Sequence, residues 1–308
     1  MSIAVAIKPK KKLKINIPRI LLHTFFIIFS LCFILPMLLV LGISFTDEDS
    51  LRTLGYHIIP KVFSSQAYQL IFKNPKAIID AYKVTIFTTI IGTVLSILVM
   101  SMIGYALSRR NFKARGVLTF LVYFTMLFSG GLVPSYIVNT TYLHLGDTVW
   151  IYLLPGMCSA FNIMMFTSFF RSLPVSLIES AKIDGATELR IYWSIIVPLS
   201  KPVMASITFL TILAKWNDWF TSLVYIRRRS DLYLLQYLLQ KIFMEMDFIN
   251  AMYKNAAAQT LIGTMQKTAP IETMQFAMAM IATGPMLVIF PFFQKYLARG
   301  LTLGAVKG

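Results

Sequence analysis

Six long apolar segments alternate with polar stretches along the chain. Each segment is long enough to cross a bilayer, since a spanning helix needs about 20 apolar residues. The segments are residues 20–45, 80–107, 117–139, 148–170, 202–226 and 273–297. The polar stretches between them are residues 46–79, 108–116, 140–147, 171–201 and 227–272. This pattern predicts an all-α membrane protein with six transmembrane helices.

Composition supports that prediction. The 308 residues are 57% hydrophobic and only 14% charged, with a mean hydropathy of +0.69. A soluble protein of this length needs a larger polar surface. We therefore expect a basic N-terminal segment (1–19), a transmembrane domain (20–298) that includes the loops 171–201 and 227–272, and a C-terminal tail (299–308).

Basic residues are distributed unequally between the two sides of the predicted membrane domain. The side that holds both termini and the stretches 108–116 and 171–201 has 17 basic residues, Lys295 included, against 3 acidic ones. The other side has 10 basic and 8 acidic residues. Because cytoplasmic loops carry the excess of Lys and Arg, both termini are predicted to be cytoplasmic. The net charge of +16 is then explained by topology and by anionic headgroups, and no nucleic acid partner is expected.

Motifs for catalysis are absent from the sequence. No lysine follows a glycine, so the chain lacks the phosphate-binding Gly-Lys-Ser/Thr signature and is not expected to hydrolyse ATP. It also lacks a Gly-x-Ser-x-Gly elbow and any metal-ligand spacing among its three histidines, so no catalytic residue and no metal site are expected. The alternative class is an ion-coupled secondary transporter of a small polar solute. Such a carrier is expected to hold ionisable residues near the midplane, and only Lys215 and Asp218 lie deep in a predicted span.

The polar stretch 171–201 is predicted to form two short helices, Val175–Asp184 and Glu188–Ile196. Gly185 between them can adopt the left-handed conformation that ends a helix. Thr187 can cap the second helix.

Two signals compete for the start of the first of these helices. Ser176-x-x-Glu179 fits a capping box, whereas Leu173-Pro174 places a proline where the first turn tolerates one. In either case, Leu177, Ile178 and Ala181 are expected to share an apolar face.

The same loop carries a more specific pattern, Glu179-Ser-Ala181-x-x-Asp184-Gly185-Ala186, followed by Tyr192, Ile195 and Pro198. It resembles the EAA loop of bacterial binding-protein-dependent ABC importers, whose first helix is the coupling helix that docks in a groove of the ATPase subunit. Ser180 and Val197 depart from the usual alanine and leucine, but both are small or apolar. The resemblance implies a type I ABC importer permease fold. It also implies ATPase-coupling roles for Leu177, Ile178, Glu179, Ala181, Asp184, Gly185, Ala186, Ile195 and Pro198.

Further motifs narrow the resemblance to sugar permeases similar to the smaller maltose-transport permease. They are Tyr105-Ala-Leu-Ser-Arg109, Ser129-Gly-Gly-Leu-Val-Pro134, Leu145-Gly-Asp-Thr-Val-Trp150, Trp216-Asn217-Asp218 and the ending Gly300–Gly308. The resemblance covers residues 80–308, and its details fit the subgroup for complex oligosaccharides.

In such importers two permeases form the pore, and two ATPase copies use ATP and Mg²⁺ to drive alternating access. An extracytoplasmic binding protein delivers the sugar. The resemblance thus implies a multi-pass protein of the bacterial plasma membrane, with ABC ATPases, a second homologous permease, a sugar-binding protein and an oligosaccharide as partners. The family's smaller permease extends its C-terminal tail between the ATPases, so Gly304, Ala305, Val306 and Lys307 are expected to contact them.

The fifth predicted span holds the candidates for the substrate pathway, Lys215, Trp216, Asn217, Asp218 and Trp219. Aromatic rings stack on sugars, and amides or carboxylates bind hydroxyls. Consecutive residues cannot all face one way, however. The structural alternative is that Trp219 is an interface anchor and that Lys215 and Asp218 form an interhelical pair.

The external loop 227–272 is predicted to contain a helix that begins near Ser230 or Asp231, either of which can cap it. Its apolar residues fall on one helical face. We expect this helix to lie on the outer membrane surface or against a partner.

Overall fold

The structure, a computed structural model, describes residues 17–73, 75–253 and 271–300. Apart from turns and one isolated bridge between Thr46 and Phe63, the ordered elements of these residues are helical. The helices are α1 (Ile17–Ser44), α2 (Glu48–Leu54), α3 (Gln66–Ile71), α4 (Pro75–Ser108), α5 (Arg115–Leu127), α6 (Leu132–Ile137), α7 (Trp150–Leu153), α8 (Ala160–Ser172), α9 (Val175–Ile183), α10 (Glu188–Ile191), α11 (Val197–Leu199), α12 (Lys201–Trp216), α13 (Phe220–Tyr225), α14 (Leu235–Tyr253) and α15 (Ile271–Gly300). A π-helical turn extends α6 (Val138–Tyr142), a second joins α10 to α11 (Tyr192–Ile196), and a 3-10 turn (Ser230–Leu232) precedes α14.

Among the described residues, three helices are long and apolar enough to cross a membrane, and they lie within α1, α4 and α15. Three bent pairs also qualify when each pair is taken as one span, which gives up to six. These pairs are α5 with α6, α8 with α9, and α10–α11 with α12, bent by 114°, 75° and 83°. The predicted all-helical membrane fold is confirmed, with three to six candidate spans among the described residues.

Two predicted spans are interrupted where glycine and proline occur. The segment 117–139 turns sharply after α5, and Gly131 takes a φ of +83°, which only glycine adopts without strain. The segment 148–170 is helical only in α7 and α8, with Pro155 and Gly156 between them. The length of each apolar run therefore located these segments, but neither segment is one continuous helix.

Helix α4 occupies the centre of the molecule and packs against α8 and α12. Its approach to α8 depends on Gly104, where an added Cβ would lie 2.7 Å from Phe166 Cβ. Helix α1 packs mainly against α15, and most of its side chains are exposed. The molecule thus has a core around α4 and an apolar outer surface suited to lipid or a partner.

At the opposite end from the 171–201 loop, α14 packs on α15 and α4 rather than standing apart. The predicted caps are not used. The backbone N–H of Leu234 donates to Ser222 Oγ at 3.1 Å, and that of Leu235 donates to Thr85 Oγ1 at 2.9 Å. Asp231 is ion-paired with Arg229 instead. The start of α14 is therefore set by side chains from two distant helices.

Candidate functional site

The 171–201 loop folds into two short helices separated by a glycine, as predicted. Helix α9 (Val175–Ile183) ends in a Schellman motif, in which Ala186 N donates to Ala181 O at 2.9 Å and Gly185 N donates to Lys182 O at 3.0 Å. Gly185 has a φ of +78° and leaves open space around the position of a Cβ. The left-handed conformation, not crowding, is therefore what requires glycine here.

The starts of the two helices are set differently. Pro174 occupies the N-cap position of α9 and no side chain caps the helix, so the capping box of Ser176 and Glu179 does not form. At the second helix, Thr187 Oγ1 accepts from Arg190 N at 3.4 Å, as predicted. This helix continues through α11, past Pro198, and then bends into α12.

One face of the loop is buried in the main core. Ile178 and Ala181 are 3% and 9% exposed, and they pack in one cluster with residues of α4 and α8. Ala186 and Ile195 pack at the edge of this cluster. Leu177, in contrast, is 43% exposed, so the prediction that it shares one apolar face with Ile178 and Ala181 was wrong. Its position one residue before Ile178 turns it by about 100° around the helix.

The opposite face of the loop is exposed and partly apolar. Ile183 is 86% exposed, and Val175, Leu177 and Leu189 are also open to the outside. Glu179 and Asp184 are exposed too. Within the described residues, the side chain of Glu179 makes no hydrogen bond or ion pair. We call Val175, Leu177, Ile183 and Leu189 the outer apolar patch.

A polar contact locks the loop to the end of α4. Tyr105 Oη donates to Glu188 Oε2 at 2.6 Å, while Lys182 Nζ lies 2.5 Å from Glu188 Oε1. Burial raises the pKa of Glu188, but the hydrogen bonds from Lys182 and Tyr105 lower the pKa by more than burial raises it. The net pKa is therefore below its usual value. The charged carboxylate is therefore the form that the site favours.

A second contact joins the loop to α4 one turn deeper. Tyr192 Oη lies 2.7 Å from Ser101 Oγ, and both side chains are buried. Together with the contact of Glu188, this hydrogen bond fixes the loop to α4. Glu188 could not be selected from the sequence, because its partner Tyr105 is 83 positions away. Its one local signal was its position directly after Thr187, the cap of the second helix.

The candidates in the fifth span are not gathered into one site. The side chain of Lys215 packs on α4 at Gly92, where an added Cβ would lie 2.9 Å from Lys215 Cε. The Nζ of Lys215 lies 3.5 Å from the carbonyl oxygen of Tyr152. Trp216 is 3% exposed and donates its indole N–H to Ala282 O at 3.1 Å. Both side chains therefore hold helices together in this conformation.

The next three candidates lie at a break between α12 and α13. Asn217 is exposed, and Asp218 Oδ1 accepts from Thr221 N at 3.0 Å at the start of α13. Among the described residues, Lys215 and Asp218 do not form an ion pair, although the two charges lie close enough to interact. Trp219 is partly buried against Phe220. Of the five candidates, Asn217 is the most accessible.

The last candidates, Gly304, Ala305, Val306 and Lys307, lie outside the described residues. Their contact with an ATPase stays a prediction.

Comparison with known proteins places these features in a family context. Residues 97–303 match the family model described as binding-protein-dependent transport system inner membrane component. The chain is 38% identical to Protein LplC of Bacillus subtilis over 276 residues (89% of this chain, 90% of the relative). It is 36% identical over 288 residues to the polygalacturonan/rhamnogalacturonan transport system permease protein YtcP of the same organism (94% of this chain, 97% of the relative).

A solved structure shares the architecture. It is the crystal structure of a bacterial ABC transporter involved in the import of the acidic polysaccharide alginate. One of its chains superposes with a TM-score of 0.76 and 28% identity, covering 94% of this chain and 99% of that one. These comparisons support the resemblance to ABC importer permeases and give no support to the ion-coupled alternative.

Proposed function

The chain belongs to the family of binding-protein-dependent transport system inner membrane components, and we propose that it is one of two permease subunits of an ATP-driven oligosaccharide importer. It is a transport permease, not an enzyme. In this proposal, ATP and Mg²⁺ are bound by two copies of a separate ATPase. A second, homologous permease completes the pore, and a binding protein delivers the sugar from outside.

The observation that carries the proposal is the two-sided construction of the 171–201 loop. Its inner face is fixed to α4 and α8 by the core around Ile178 and by the contacts of Glu188 and Tyr192. Its outer face carries the outer apolar patch, which is contributed by α9 and α10. A surface built in this way can transmit the displacement of a bound partner to the membrane helices.

The mechanism follows from that construction. When ATP draws the two ATPases together, a coupling helix seated in an ATPase groove moves with them. Because the loop and α4 are locked together, α4 and its neighbours move as a body and change the side to which the pore opens. The free energy of ATP binding thereby shifts the equilibrium between two states of the pore. The tail Gly304–Lys307 would add a second ATPase contact.

The orientation of the chain is part of this proposal. The 17 basic residues on the side of the termini support a cytoplasmic position for the 171–201 loop. Helix α14 and the other polar segments of the opposite side would then face the binding protein.

An oligosaccharide is proposed as the substrate because the relatives with named substrates transport such compounds. The break between α12 and α13 is consistent with this choice, since discontinuous helices commonly form substrate sites in transporters. Asn217 is the exposed side chain at this break; its amide nitrogen donates to Leu213 O at 3.0 Å, and its amide oxygen can accept from a sugar hydroxyl.

Charge reversal at Glu179 and backbone disruption at Gly185 test this function. In the assembled importer, Glu179→Lys and Gly185→Pro are expected to abolish ATPase co-purification and ATP-driven uptake, while membrane insertion is unchanged. Asp49→Lys, an equally exposed charge reversal on the opposite side, serves as the control for ATPase co-purification. If co-purification and uptake both survive the first two changes, the loop does not couple the permease to an ATPase.

A further inference from the structure

A cavity of about 720 Å³ lies where the 108–116 turn and the end of α8 meet the 171–201 loop. It meets the outer apolar patch at Val175 and Leu189, and its other walls come from the end of α4, the turn after it, and the ends of α5 and α8. Its basic lining residues are Arg109, Arg110, Arg115, Arg171 and Lys182. Two carboxylates, Glu179 and Glu188, also line it. Five positive charges against two negative ones leave a surplus of three.

The surplus is concentrated in the arginines. Lys182 and Glu188 neutralise each other in their ion pair. Among the described residues, none of the four arginines forms an ion pair with a carboxylate. Arg115 lies close enough to Arg171 for the two positive charges to repel each other. Four guanidinium groups thus border one space in which Glu179 and Glu188 are the carboxylates, and this excess of positive charge favours the binding of an anion.

Two of the arginines are held in place by the protein. The guanidinium of Arg109 lies 4.8 Å from the centre of the Tyr105 ring, and its Nε donates to Ser108 Oγ at 3.1 Å. Arg171 donates to the carbonyl of Leu107 at 3.2 Å. These contacts use only part of the donor capacity of each guanidinium, which has five N–H groups. The remaining donors are available to a ligand, and the planar fork matches a phosphate.

The rest of the lining is apolar and lies at the edge of the membrane domain. Met102, Phe112 and Val175 line the cavity and are at least one-third exposed. Helix α5 begins at the cavity and has no buried residue along its length. A ligand with a charged head and apolar chains would therefore find both kinds of surface next to each other.

The charge of the cavity also argues against one occupant from this chain. The N-terminal segment 1–16 contains five lysines and no acidic residue, so it would be repelled. An anionic phospholipid has the opposite charge and is present at the cytoplasmic membrane surface.

We propose that this cavity binds the phosphate headgroup of an anionic phospholipid of the inner leaflet, with the four arginines as donors. The proposal rests on the cytoplasmic placement of the loop given above. Bound there, the lipid bridges the end of α4, the start of α5 and the coupling loop, and it stabilises their junction.

The test uses the assembled importer, stripped of lipid in detergent and then titrated with phosphatidylglycerol, phosphatidylcholine or inorganic phosphate. Native mass spectrometry counts bound lipid, and thermal unfolding measures stabilisation. Phosphatidylglycerol is expected to bind and to raise the melting temperature, whereas the other two ligands are not.

Matched variants locate the site. Arg110 and Arg115 make no side-chain hydrogen bond within the described residues, so the double variant Arg110→Gln/Arg115→Gln is expected to fold and to lose about tenfold in affinity for phosphatidylglycerol. Lys113→Gln removes a charge from the same turn but does not line the cavity, and it is expected to bind as the wild type does.

Four results would overturn the proposal. Equal binding of the two lipids, or equal affinity of the double variant and Lys113→Gln, would show that the cavity does not select an anionic lipid. Equal stabilisation by inorganic phosphate would identify a free-phosphate site. Phosphatidylglycerol that binds the permease pair without its ATPases but does not bind the assembled importer would show that the ATPase, and not lipid, covers this cavity. ATP-driven uptake is measured separately, so failure of this proposal leaves the proposed transport function intact.

Discussion

Ile183 provides the most direct test of how the 171–201 loop binds the ATPase. Its side chain is 86% exposed at the end of α9, next to the Schellman turn. If this residue is buried on docking, it contributes about 1.5–3 kcal/mol to ATPase binding. Replacing it with aspartate removes that contribution, which corresponds to roughly 10- to 150-fold in Kd. The permease itself should change in stability by less than about 0.5 kcal/mol, because the site is on the surface.

The assay measures ATPase binding to the permease pair in nanodiscs by biolayer interferometry, together with thermal unfolding of the pair. Ile59→Asp is the matched control, since Ile59 is 79% exposed but lies on the other side of the protein. We expect Ile183→Asp alone to weaken ATPase binding. If both variants bind the ATPase within twofold of the wild type, Ile183 is not part of the docking surface and the reasoning from exposure is refuted.

Three further predictions concern the framework behind that surface. Gly104→Ala should destabilise the permease by about 1–3 kcal/mol in thermal unfolding, because the added methyl group would overlap α8. Gly116→Ala, which lies in open space within α5, should be neutral or slightly stabilising. Equal effects of the two changes would contradict the close packing of α4 on α8. Gly185→Ala should lower coupled uptake and stability more than Gly185→Asn, since asparagine tolerates the left-handed conformation better, and the reverse order in an uptake assay would show that the φ of +78° is not what matters. Because the pKa of Glu188 is lowered in the folded state, its carboxylate contributes stability at a pH above the ordinary pKa of 4.5, and this contribution is lost as the pH falls through the lowered pKa. The melting temperatures of the wild type and Glu188→Gln should therefore differ at pH 7 and converge in acid. A difference that persists at low pH would show that charge is not its source.

The features that sequence alone predicted were those with local causes. Apolar length located the membrane segments, and Gly185 and Thr187 marked the turn between the two helices of the loop through their own backbone preferences. The resemblance of the pattern around Glu179 to a known loop identified the family. Each of these signals is contained within a few neighbouring residues.

The features that sequence missed depend on distant contacts. The start of α14 is set by Thr85 and Ser222, so the nearby Asp231 was a misleading signal. Contacts with α4 and α8 determine which side of α9 is buried. Leu177 was therefore wrongly assigned to the same face as Ile178 and Ala181. The role of Glu188 depends on an aromatic hydroxyl at the end of another span.

The fifth span shows a further limit of sequence. Polar and aromatic residues within an apolar segment suggested a pathway, but Trp216 and Lys215 instead pack against neighbouring helices. The identity of a side chain gives its chemistry, whereas its direction depends on where the helix breaks. The break after Trp216 leaves Asn217 as the side chain to test for sugar contact.

The central claim is that this chain conducts an oligosaccharide only when a separate ATPase moves it. Uptake of labelled oligosaccharide into proteoliposomes tests this directly, with the complete importer, its binding protein and ATP compared with this chain alone under a proton or sodium gradient. We expect uptake by the complete importer in the presence of ATP and Mg²⁺, none with a non-hydrolysable ATP analogue, and none by the chain alone. Gradient-driven uptake by the chain alone would contradict the account.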